Sequence, residues 1–519
     1  MNGAHALLGT LCANGVSVCF ANPGTSEMHF VASLDDAPEM RAILCLFEGV
    51  ATGAADGYAR VTGKPAATLL HLGPGLANGW ANLHNARRAR VPLVNIVGDH
   101  ATYHAQYDAP LQSDIDSLAR ALNGWQKRTM SPDDVARDAA EAISAAYGPP
   151  GQIATLILPA DSSWGALSED RAAWPVAVRR QEGLPDDHML ERALELLRTK
   201  KAAIFVGGTA ASKEHLGLAK RIASACSARF MIETFPAIIE RGAGIASPER
   251  LIYLSEFASA QLAELEALIL IGTNEPVGFF AYPDIPSTVV ARSCEVVALA
   301  PPGTDTLFTL RELAEGLDAP AVLSESGEVP RAPSGALNRQ SFAAAVAATL
   351  PEGVIVADES NTTGTDLFNA TRFAPPHRWM TLTGGSIGFG LPVAVGSAVA
   401  SAGRVLALQS DGSMMYTPQA LWTMAREGLD VTVVGLSNRS YAILNYELQR
   451  VGATMEGSTS QRMLEIDDPE LDLAAIASAQ GVPSLRVTTS EELTSALERS
   501  YATPGPMFIE AMFSKGLGA

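Results

Sequence analysis

Short, continuous apolar runs alternate with longer segments of helical spacing throughout this chain of 519 residues. Runs that are apolar at successive positions are typical of parallel strands buried on both faces. Segments 135–146 and 190–197 instead carry apolar residues at helical spacing. The alternation predicts an α/β fold with doubly wound parallel sheets. The strands predicted in this way are Ala66–His71, Pro92–Val97, Ile153–Leu158, Ala202–Val206, Leu268–Ile271, Val296–Ala300, Val354–Ala357, Val405–Leu408 and Val431–Leu436.

Two stretches interrupt this alternation and lack a clear period. Residues 164–188 and 318–337 are rich in Pro, Gly, Ser and charged residues, which is typical of linkers. The length of the chain also suggests about three domains. We therefore predict three α/β domains of similar size, which cover residues 1–165, 188–318 and 338–519.

The charge balance excludes some classes of partner. The chain has 37 Lys and Arg against 56 Asp and Glu, which gives a net charge of −19. Nucleic acid is therefore not expected as the main partner, because phosphate binding needs clustered basic residues. An apolar fraction of 47% is ordinary for a packed globular protein and disfavours intrinsic disorder.

The cysteines and the apolar segments bear on the expected location. The five cysteines form no CxxC pair, so we expect neither a disulfide framework nor a zinc site, and a reducing cytoplasm is the predicted location. The first residues lack the basic region and long apolar core of a signal peptide. The uncharged segment 379–403 is rich in glycine, so we do not expect it to span a membrane.

The most informative motif lies after two neighbouring predicted strands. Asp411-Gly412-Ser413 follows one strand, a helix is predicted from near Thr417, and Asn438 follows the next strand. If the two strands are adjacent and parallel, Asp411 and Asn438 lie at the carboxyl edge of the sheet, where α/β proteins bind ligands. Carboxylate, amide and carbonyl oxygens suit Mg²⁺ or Ca²⁺. Gly412 and the following helix N-terminus suit phosphate groups.

Each dipeptide taken alone is more typical of a simple turn. The pair is more specific, because 24 residues, Met414 through Ser437, separate Gly-Ser from Asn438. In this spacing the segment resembles the Gly-Asp-Gly and Asn-Asn motif of thiamine diphosphate (ThDP) enzymes, with Ser410 and Ser437 as departures. The resemblance implies that Asp411, the Asn438 side chain and the Ser440 carbonyl hold Mg²⁺ on the cofactor diphosphate. It also implies that Gly412, Ser413 and Tyr441 contact the cofactor.

A second motif lies near the N-terminus. Glu48 follows an apolar run and opens a helix of small residues that continues into Ala55-Asp-Gly-Tyr-Ala-Arg60. Alone, such a glutamate is more typical of helix N-terminus stabilisation. The whole segment resembles the N-terminal hallmark of ThDP enzymes. The resemblance implies that Glu48 activates the cofactor through a strong hydrogen bond to its aminopyrimidine ring in an apolar setting.

A third motif is the glycine-rich segment 383–396. In ThDP enzymes the corresponding segment cradles the cofactor, so the resemblance implies that Gly385 and Ile387 contact it. The glycine spacing also loosely resembles a Rossmann loop, but no acidic residue ends a following strand in the usual place. We therefore expect the three domains to be a pyrimidine-binding, a middle and a diphosphate-binding domain, in that order.

Within the family the chain resembles benzoylformate decarboxylase and acetolactate synthase. The loop Asn22–Glu27, which contains the cofactor-contacting candidate Thr25, and His71 resemble the decarboxylase. Gly73-Pro-Gly75 with Asn78 resembles the synthase. The resemblance implies that His71 donates a proton or orients the substrate carboxylate, whereas the alternative is a histidine satisfied at a strand end. We expect cleavage of a 2-oxo acid, by decarboxylation or by synthase-type joining of two 2-oxo acids.

Further predictions concern the pocket residues, FAD, the assembly and the alternative classes of protein. The decarboxylase carries a second active-site histidine where this chain has Phe280 or Ala281, which would slow proton transfer and favour carboligation with an aldehyde acceptor. His100, His104 and Gln112 are candidate pocket residues.

The FAD-binding segment of anabolic synthases is not recognisable, so no FAD is expected. The resemblance implies a homodimer or homotetramer with sites between subunits. A ThDP-binding protein without turnover and a Rossmann-type dehydrogenase are the alternatives of another class.

Overall fold

Three sheets with helices packed against them make up the computed structural model, which describes residues 1–169, 173–322, 325–401, 403–453 and 458–516. The first sheet has six strands, the second five and the third seven. All strand pairs between neighbours are parallel except one in the third sheet. The predicted α/β class with three mostly parallel sheets is confirmed.

The strands follow the chain in nearly separate blocks. The first block is β1 Val18–Asn22, β2 Arg41–Leu44, β3 Ala66–Leu70, β4 Leu93–Asp99, β5 Trp125–Arg128 and β6 Ile153–Pro159, in the order β2-β1-β3-β4-β6-β5. The second is β7 Ala202–Val206, β8 Arg229–Ile232, β10 Glu249–Arg250, β11 Ala267–Ile271 and β12 Glu295–Ala300, in the order β10-β8-β7-β11-β12. The third is β9 Ile238–Arg241, β13 Ile355–Glu359, β14 His377–Thr381, β15 Val405–Ser410, β16 Val431–Ser437, β17 Ser484–Val487 and β18 Met507–Met512, in the order β17-β18-β16-β15-β13-β14-β9.

Helices cover the faces of these sheets. Around the first sheet they are α1 Gly3–Ala13, α2 Met28–Ser33, α3 Glu48–Thr62, α4 Leu72–Ala89, α5 Ile115–Arg120, α6 Val135–Tyr147 and α7 Ala160–Trp164. The second block has α8 Asp187–Thr199, α9 Lys213–Cys226, α10 Ser255–Leu262 and α11 Thr306–Gly316. The third has α12 Arg339–Thr349, α13 Leu367–Ala370, α14 Gly390–Ala400, α15 Asp411–Met414, α16 Gln419–Glu427, α17 Ala442–Arg450, α18 Ser458–Arg462, α19 Leu473–Ala479 and α20 Ser490–Ala502. In the part of the chain that the structure describes, none of these helices has the length and apolarity to span a membrane.

Every strand predicted from an apolar run is present, within two residues at each end. One strand crosses the predicted domain limits, because β9 lies within residues 188–318 but pairs antiparallel with β14 of the third sheet. Met380 pairs with Ile238 and His377 with Arg241 in this register. The middle part of the chain is therefore joined to the third sheet by a backbone ladder.

Helix α3 packs closely against α14, and small residues on both helices make this possible. A Cβ on Gly57 would lie 2.2 Å from the Val393 carbonyl oxygen, and one on Gly396 would lie 1.7 Å from the Ala54 carbonyl oxygen. Backbone therefore meets backbone at this contact, which only residues without side chains permit. The small-residue character of the segment that follows Glu48 thus serves the packing of the first and third sheets on each other.

The charged residues of the Ala55–Arg60 motif form a buried junction. Arg60 binds Asp56 through two hydrogen bonds of 2.8 Å, and both side chains are fully buried. The same guanidinium donates at 2.8 Å to the carbonyl oxygens of Ala237 and Thr381. Arg60 therefore ties α3 to the ends of both β9 and β14, and this pair is part of the scaffold under the third sheet.

Candidate active site

The strands that precede Asp411 and Asn438 are adjacent and parallel. Strands β15 and β16 pair over their whole length, with Ser410 opposite Leu436 at the carboxyl ends. The helix predicted from near Thr417 is divided in the structure, because the short α15 begins at Asp411 itself and α16 begins at Gln419. The chain therefore turns directly from β15 into a helical turn at the sheet edge.

Asp411 and Asn438 form one polar group at this edge. The Asp411 carboxylate accepts hydrogen bonds from the Gly412 amide at 2.8 Å and from the Arg439 amide at 2.6 Å. Asn438 Oδ1 accepts from the Ser440 amide at 3.1 Å. Arg439 has φ +56°, a left-handed turn that brings Ser440 back towards Asn438. Burial raises the pKa of Asp411, and the amide hydrogen bonds oppose that shift.

This group fits a hard divalent cation by the chemistry of its donors. It offers one buried carboxylate, one amide oxygen and the Ser440 carbonyl, and oxygen sets of this kind with few carboxylates suit Mg²⁺ shared with phosphate. In the described ranges no cluster of three or more His, Cys, Asp or Glu residues has metal-binding geometry. These three oxygens leave further positions of an octahedral Mg²⁺ shell to phosphate and water.

Gly412 and Ser413 are constrained by their neighbours. A Cβ on Gly412 would lie 2.5 Å from Cε1 of the Tyr441 ring, so this ring leaves no room for a side chain at position 412. Ser413 Oγ accepts a 2.9 Å hydrogen bond from Gln409 Nε2. Ser410, which departs from the family motif, donates from Oγ to the Glu359 carbonyl at 3.1 Å. The extra side chain at position 410 is thus anchored within the domain.

The segment with Gly385 and Ile387 is a loop between β14 and α14. Gly385 is exposed with φ +72°, and Ile387 is half-buried. Helix α4 of the first sheet holds this loop, because Asn85 Nδ2 donates to the Ser386 carbonyl at 2.8 Å and Asn82 Nδ2 donates to the Gly388 carbonyl at 3.1 Å. The loop is therefore held against α4, a helix that packs on the first sheet.

Glu48 is the first residue of α3 and is 6% exposed. Its carboxylate accepts a 3.0 Å hydrogen bond from Asn78 Nδ2, which lies on α4. Gly75 leaves room beside it, because a Cβ there would lie 3.2 Å from Glu48 Oε1. Two residues predicted separately, Glu48 and Asn78, are thus brought together by a hydrogen bond between α3 and α4.

His71 lies beside a carboxylate that sequence reasoning missed. His71 Nδ1 is 2.7 Å from Glu27 Oε2, and the same oxygen accepts a 2.8 Å hydrogen bond from the Gly24 amide. Glu27 Oε1 is buried and has no hydrogen-bond partner among the described residues. Burial raises the pKa of Glu27, while His71 and the Gly24 amide oppose that shift. Thr25, in the same loop, is exposed.

The candidate loop after β4 is partly buried. His100 Nε2 and Gln112 Oε1 are buried and have no hydrogen-bond partner in the described part of the chain. His104 is exposed, with its ring 5.3 Å from that of His100. Unpaired buried polar atoms are typical of places that a ligand or water completes. A direct role of these three side chains in binding substrate stays a prediction.

The two halves of the candidate site lie on different sheets. Glu48, His71 and Asn78 follow strands of the first sheet, whereas Asp411, Asn438 and Ser440 follow strands of the third. Across the described residues no hydrogen bond joins one group to the other. Within one chain the two sheets meet instead where α4 holds the loop that carries Ile387 and where α3 packs on α14.

Two predictions concern residues 188–318: the replacement of the decarboxylase's second histidine at position 280 or 281, and the absence of FAD. Ala281 lies in the exposed segment 279–281, and its half-buried neighbour Tyr282 donates a 2.7 Å hydrogen bond to Glu447 of α17. At the carboxyl ends of β7 and β11, the Glu233 carboxylate accepts from the Gly208 amide and from Thr273 Oγ1, both at 2.8 Å. Glu233 is partly buried, and this burial raises the pKa of its carboxyl. A carboxylate of the chain itself therefore fills the glycine turn where a dinucleotide phosphate binds in such sheets.

Family models match both outer parts of the chain. Residues 1–120 match the model described as thiamine pyrophosphate enzyme, N-terminal TPP binding domain. Residues 362–511 match the model described as thiamine pyrophosphate enzyme, C-terminal TPP binding domain. The two matches fall on the segments that carry Glu48 and His71 and that carry Gly385, Asp411 and Asn438.

Relatives extend the similarity over the whole length. A protein of Mycobacterium tuberculosis named "Putative acetolactate synthase large subunit IlvX" is 52% identical, with 100% of both chains covered. Benzoylformate decarboxylase of Pseudomonas aeruginosa is 29% identical, with 96% of each chain covered. A thiamine diphosphate-dependent 4-hydroxybenzoylformate decarboxylase from Rhodococcus jostii RHA1 shares the fold, with a TM-score of 0.84 at 22% identity over 100% of both chains. With two motif-bearing segments matched and a close full-length relative, the chain belongs to the thiamine pyrophosphate enzyme family.

Proposed function

We propose that this ThDP-dependent enzyme cleaves a 2-oxo acid, with Mg²⁺ holding the cofactor diphosphate. The reaction is non-oxidative decarboxylation, in which the bond between the carboxyl and carbonyl carbons breaks, CO₂ leaves and the carbonyl carbon gains a proton. The observation that carries this proposal is the buried Glu48 carboxylate at the start of α3, which accepts a hydrogen bond from Asn78. Such a carboxylate is the activating group that the family's chemistry requires.

The residues that would hold the cofactor fall into three groups. Asp411, Asn438 and the Ser440 carbonyl would bind Mg²⁺, and the amides of Gly412 and Ser413 would face the diphosphate. Gly385, Ile387 and Tyr441 would line the rest of the cofactor, with Thr25 and Asn78 near its ring. When bound, the cofactor supplies the electron sink for the departure of CO₂.

The chain's own residues would manage charge and protons around the substrate. Glu48 keeps its carboxylate out of water, so a hydrogen bond to it is strengthened by the low local dielectric. Glu27 accepts the Nδ1 proton of His71, which leaves Nε2 as the nitrogen that exchanges protons with substrate. We assign to His71 the orientation of the substrate carboxylate and the delivery of a proton to the product carbon.

A second candidate, acetolactate synthase-type joining of two 2-oxo acids, is favoured by one observation. Position 281 is an alanine in an exposed segment, so this part of the middle domain offers no acid at that position. Slower protonation would leave time for a second carbonyl compound, such as an aldehyde or a 2-oxo acid, to react. The name of the 52% identical relative agrees with this candidate.

The assembly and the location are part of the proposal. We assign a homodimer or homotetramer in which Glu48 of one subunit faces a cofactor held by another. In support, large apolar side chains are exposed beside both halves of the site: Leu46 near Glu48, and Met415 and Tyr416 after Asp411, which are 46%, 40% and 53% exposed. We assign the enzyme to the cytoplasm. We also expect no FAD, because the Glu233 carboxylate binds the Gly208 amide in the glycine turn after β7.

Product analysis tests the proposal. Purified protein with ThDP and Mg²⁺ is supplied with benzoylformate or pyruvate, and CO₂, aldehyde and 2-hydroxy ketone products are measured. Release of aldehyde supports the decarboxylase, and acetolactate from pyruvate supports the synthase. ThDP binding with no turnover of either acid would favour a different donor or a binding protein without turnover. Failure to bind ThDP would contradict the proposal.

A further inference from the structure

We propose that Glu359 is a positioning residue that locks the Ile387 loop to the Asp411 turn, so that one carboxylate holds both third-sheet segments of the cofactor cradle. This inference rests on the proposed function, because it concerns how the chain holds ThDP. Glu359 is the last residue of β13, is 1% exposed and lies in none of the motifs that identify the family.

The first set of contacts joins Glu359 to the loop that carries Ile387. Its carboxylate accepts hydrogen bonds from the amides of Gly388 at 2.8 Å, Phe389 at 3.0 Å and Gly390 at 2.7 Å. These three amides end the loop and begin α14, an 11-residue helix. The carboxylate thus satisfies donors that a helix start leaves free and lies at the positive end of the helix dipole.

The second set of contacts joins Glu359 to the Asp411 turn. Gln409 lies opposite Glu359 in the β13–β15 register, and its Nε2 donates at 2.9 Å both to Glu359 Oε2 and to Ser413 Oγ. The Glu359 backbone takes part as well, because its carbonyl accepts from Ser410 Oγ. Side chain and main chain of one residue are therefore bound to the turn that begins at Asp411.

The contact of Glu359 and Gln409 with the start of α14 leaves little freedom to the Ile387 loop or to the Asp411 turn. A Cβ on Gly390 would lie 2.5 Å from Gln409 Oε1 and 3.0 Å from Glu359 Cβ, so α14 begins in direct contact with both side chains. Four donors surround this carboxylate, and the ionised acid, which only accepts hydrogen bonds, satisfies all of them. Burial raises the pKa of Glu359, and these four hydrogen bonds oppose that shift.

A glutamine at this position would present an NH₂ group where an acceptor is needed. Either the Gly388 amide or the three donors at Oε2 would then face a donor, and the loop would move away from the turn. The expected consequence is weaker binding of ThDP, because Ile387 and Asp411 would no longer be held at a fixed separation. Residues that orient cofactor ligands in this way typically contribute about 10- to 100-fold in affinity.

Glu510 offers a matched control in the same sheet. It is also fully buried and accepts from the amides of Leu473 and Ala474 at the start of α19 and from Arg486 Nε at 3.0 Å. Its contacts lie on β17 and α19, away from the cradle. Glu510→Gln therefore removes a buried helix-binding carboxylate of the same kind without touching the Ile387 loop or the Asp411 turn.

The experiment measures the ThDP dissociation constant at saturating Mg²⁺, by calorimetry, for the native protein, Glu359→Gln and Glu510→Gln, with thermal unfolding of the cofactor-free forms. We expect about 10- to 100-fold weaker ThDP binding in Glu359→Gln alone, while both variants lose thermal stability. Equal dissociation constants in folded Glu359→Gln and native protein would overturn the inference and leave the proposed function intact.

Gln409→Met covers the case in which Glu359→Gln does not fold. It removes the bridge to Ser413 and keeps the carboxylate on α14, so we expect weaker ThDP binding with unfolding close to native. Native affinity in folded Gln409→Met would then overturn the inference. Native protein that binds no ThDP would contradict the proposed function, and this inference with it.

Discussion

Glu27 Oε2 lies 2.7 Å from Nδ1 of His71, across two neighbouring parallel strands of the first sheet. Asn22 is paired with Leu70 at the carboxyl ends of these strands, so the loops that follow the two strands begin side by side. Because an ionised carboxylate only accepts hydrogen bonds, the proton of a neutral His71 is held on Nδ1. Nε2 is then the nitrogen that can take part in proton transfer.

This pair predicts a specific pH dependence. Burial raises the pKa of Glu27, so Glu27 takes up a proton at a higher pH than an exposed glutamate does, and His71 then loses its acceptor. We expect kcat/KM for the 2-oxo acid to fall as the pH drops through that raised pKa. In Glu27→Gln this acidic fall should disappear, with kcat/KM reduced about tenfold or more at neutral pH. A Glu27→Gln profile that matches the native one would contradict the role of the pair.

Removal of the Asp411 carboxylate should abolish metal-dependent cofactor binding. Asp411→Asn keeps the shape of the side chain but removes the only carboxylate of the proposed Mg²⁺ group, so we expect no rise in ThDP affinity when Mg²⁺ is added. Titration of ThDP with and without Mg²⁺ measures this. Asp430→Asn is the control, because Asp430 precedes the amino end of β16, at the opposite edge, and binds the Gly505 amide. A metal response in Asp411→Asn equal to that of Asp430→Asn would disprove the assignment.

Much of the fold could be predicted because buried parallel strands are apolar on both faces. The predicted strands, such as Ala202–Val206, have this property. Two of the strands that were missed carry polar residues for physical reasons: β5 is half-buried throughout, and β18 contains the buried Glu510. Strand β9 could not be predicted, because its partner β14 lies far away in the sequence.

The site could be predicted only in part, for a similar reason. Asp411 and Asn438 follow two consecutive strands, so they could be predicted to lie at the same sheet edge on the single assumption that these strands are adjacent and parallel. Glu27 and His71 are 44 residues apart, and only the pairing of β1 with β3 brings them together. Glu359 and the Gly388–Gly390 amides depend in the same way on the path of the chain through β14.

Gly412→Ala should weaken cofactor binding through Tyr441. The new Cβ would lie 2.5 Å from the Tyr441 ring, so the ring or the Asp411 turn has to move. We expect ThDP affinity to fall about tenfold, a change of about 1.4 kcal/mol. Gly217→Ala is the matched control, because nothing lies within 4 Å of its Cβ in α9, and an alanine there stabilises a helix by about 1 kcal/mol. Native ThDP affinity in Gly412→Ala would show that the turn adapts.

Asp56→Asn should strongly destabilise the fold. The Asp56–Arg60 pair is fully buried, and loss of one partner leaves a buried charge, at a cost of about 3–5 kcal/mol. The midpoint of urea unfolding should fall clearly. Arg41→Gln breaks the Arg41–Glu427 ion pair, in which Arg41 is 47% exposed, and should change stability by only about 0–1 kcal/mol. Similar midpoints for the two variants would contradict the junction role of Arg60.

The central claim is that Glu48 activates a bound ThDP for cleavage of a 2-oxo acid. The most direct measurement compares CO₂ release from benzoylformate and pyruvate, with ThDP and Mg²⁺, in the native protein and in Glu48→Gln. We predict that the native protein releases CO₂ from at least one acid, and that Glu48→Gln still binds ThDP but loses this release by a factor of about 100 or more. Equal CO₂ release by native protein and Glu48→Gln would contradict the account.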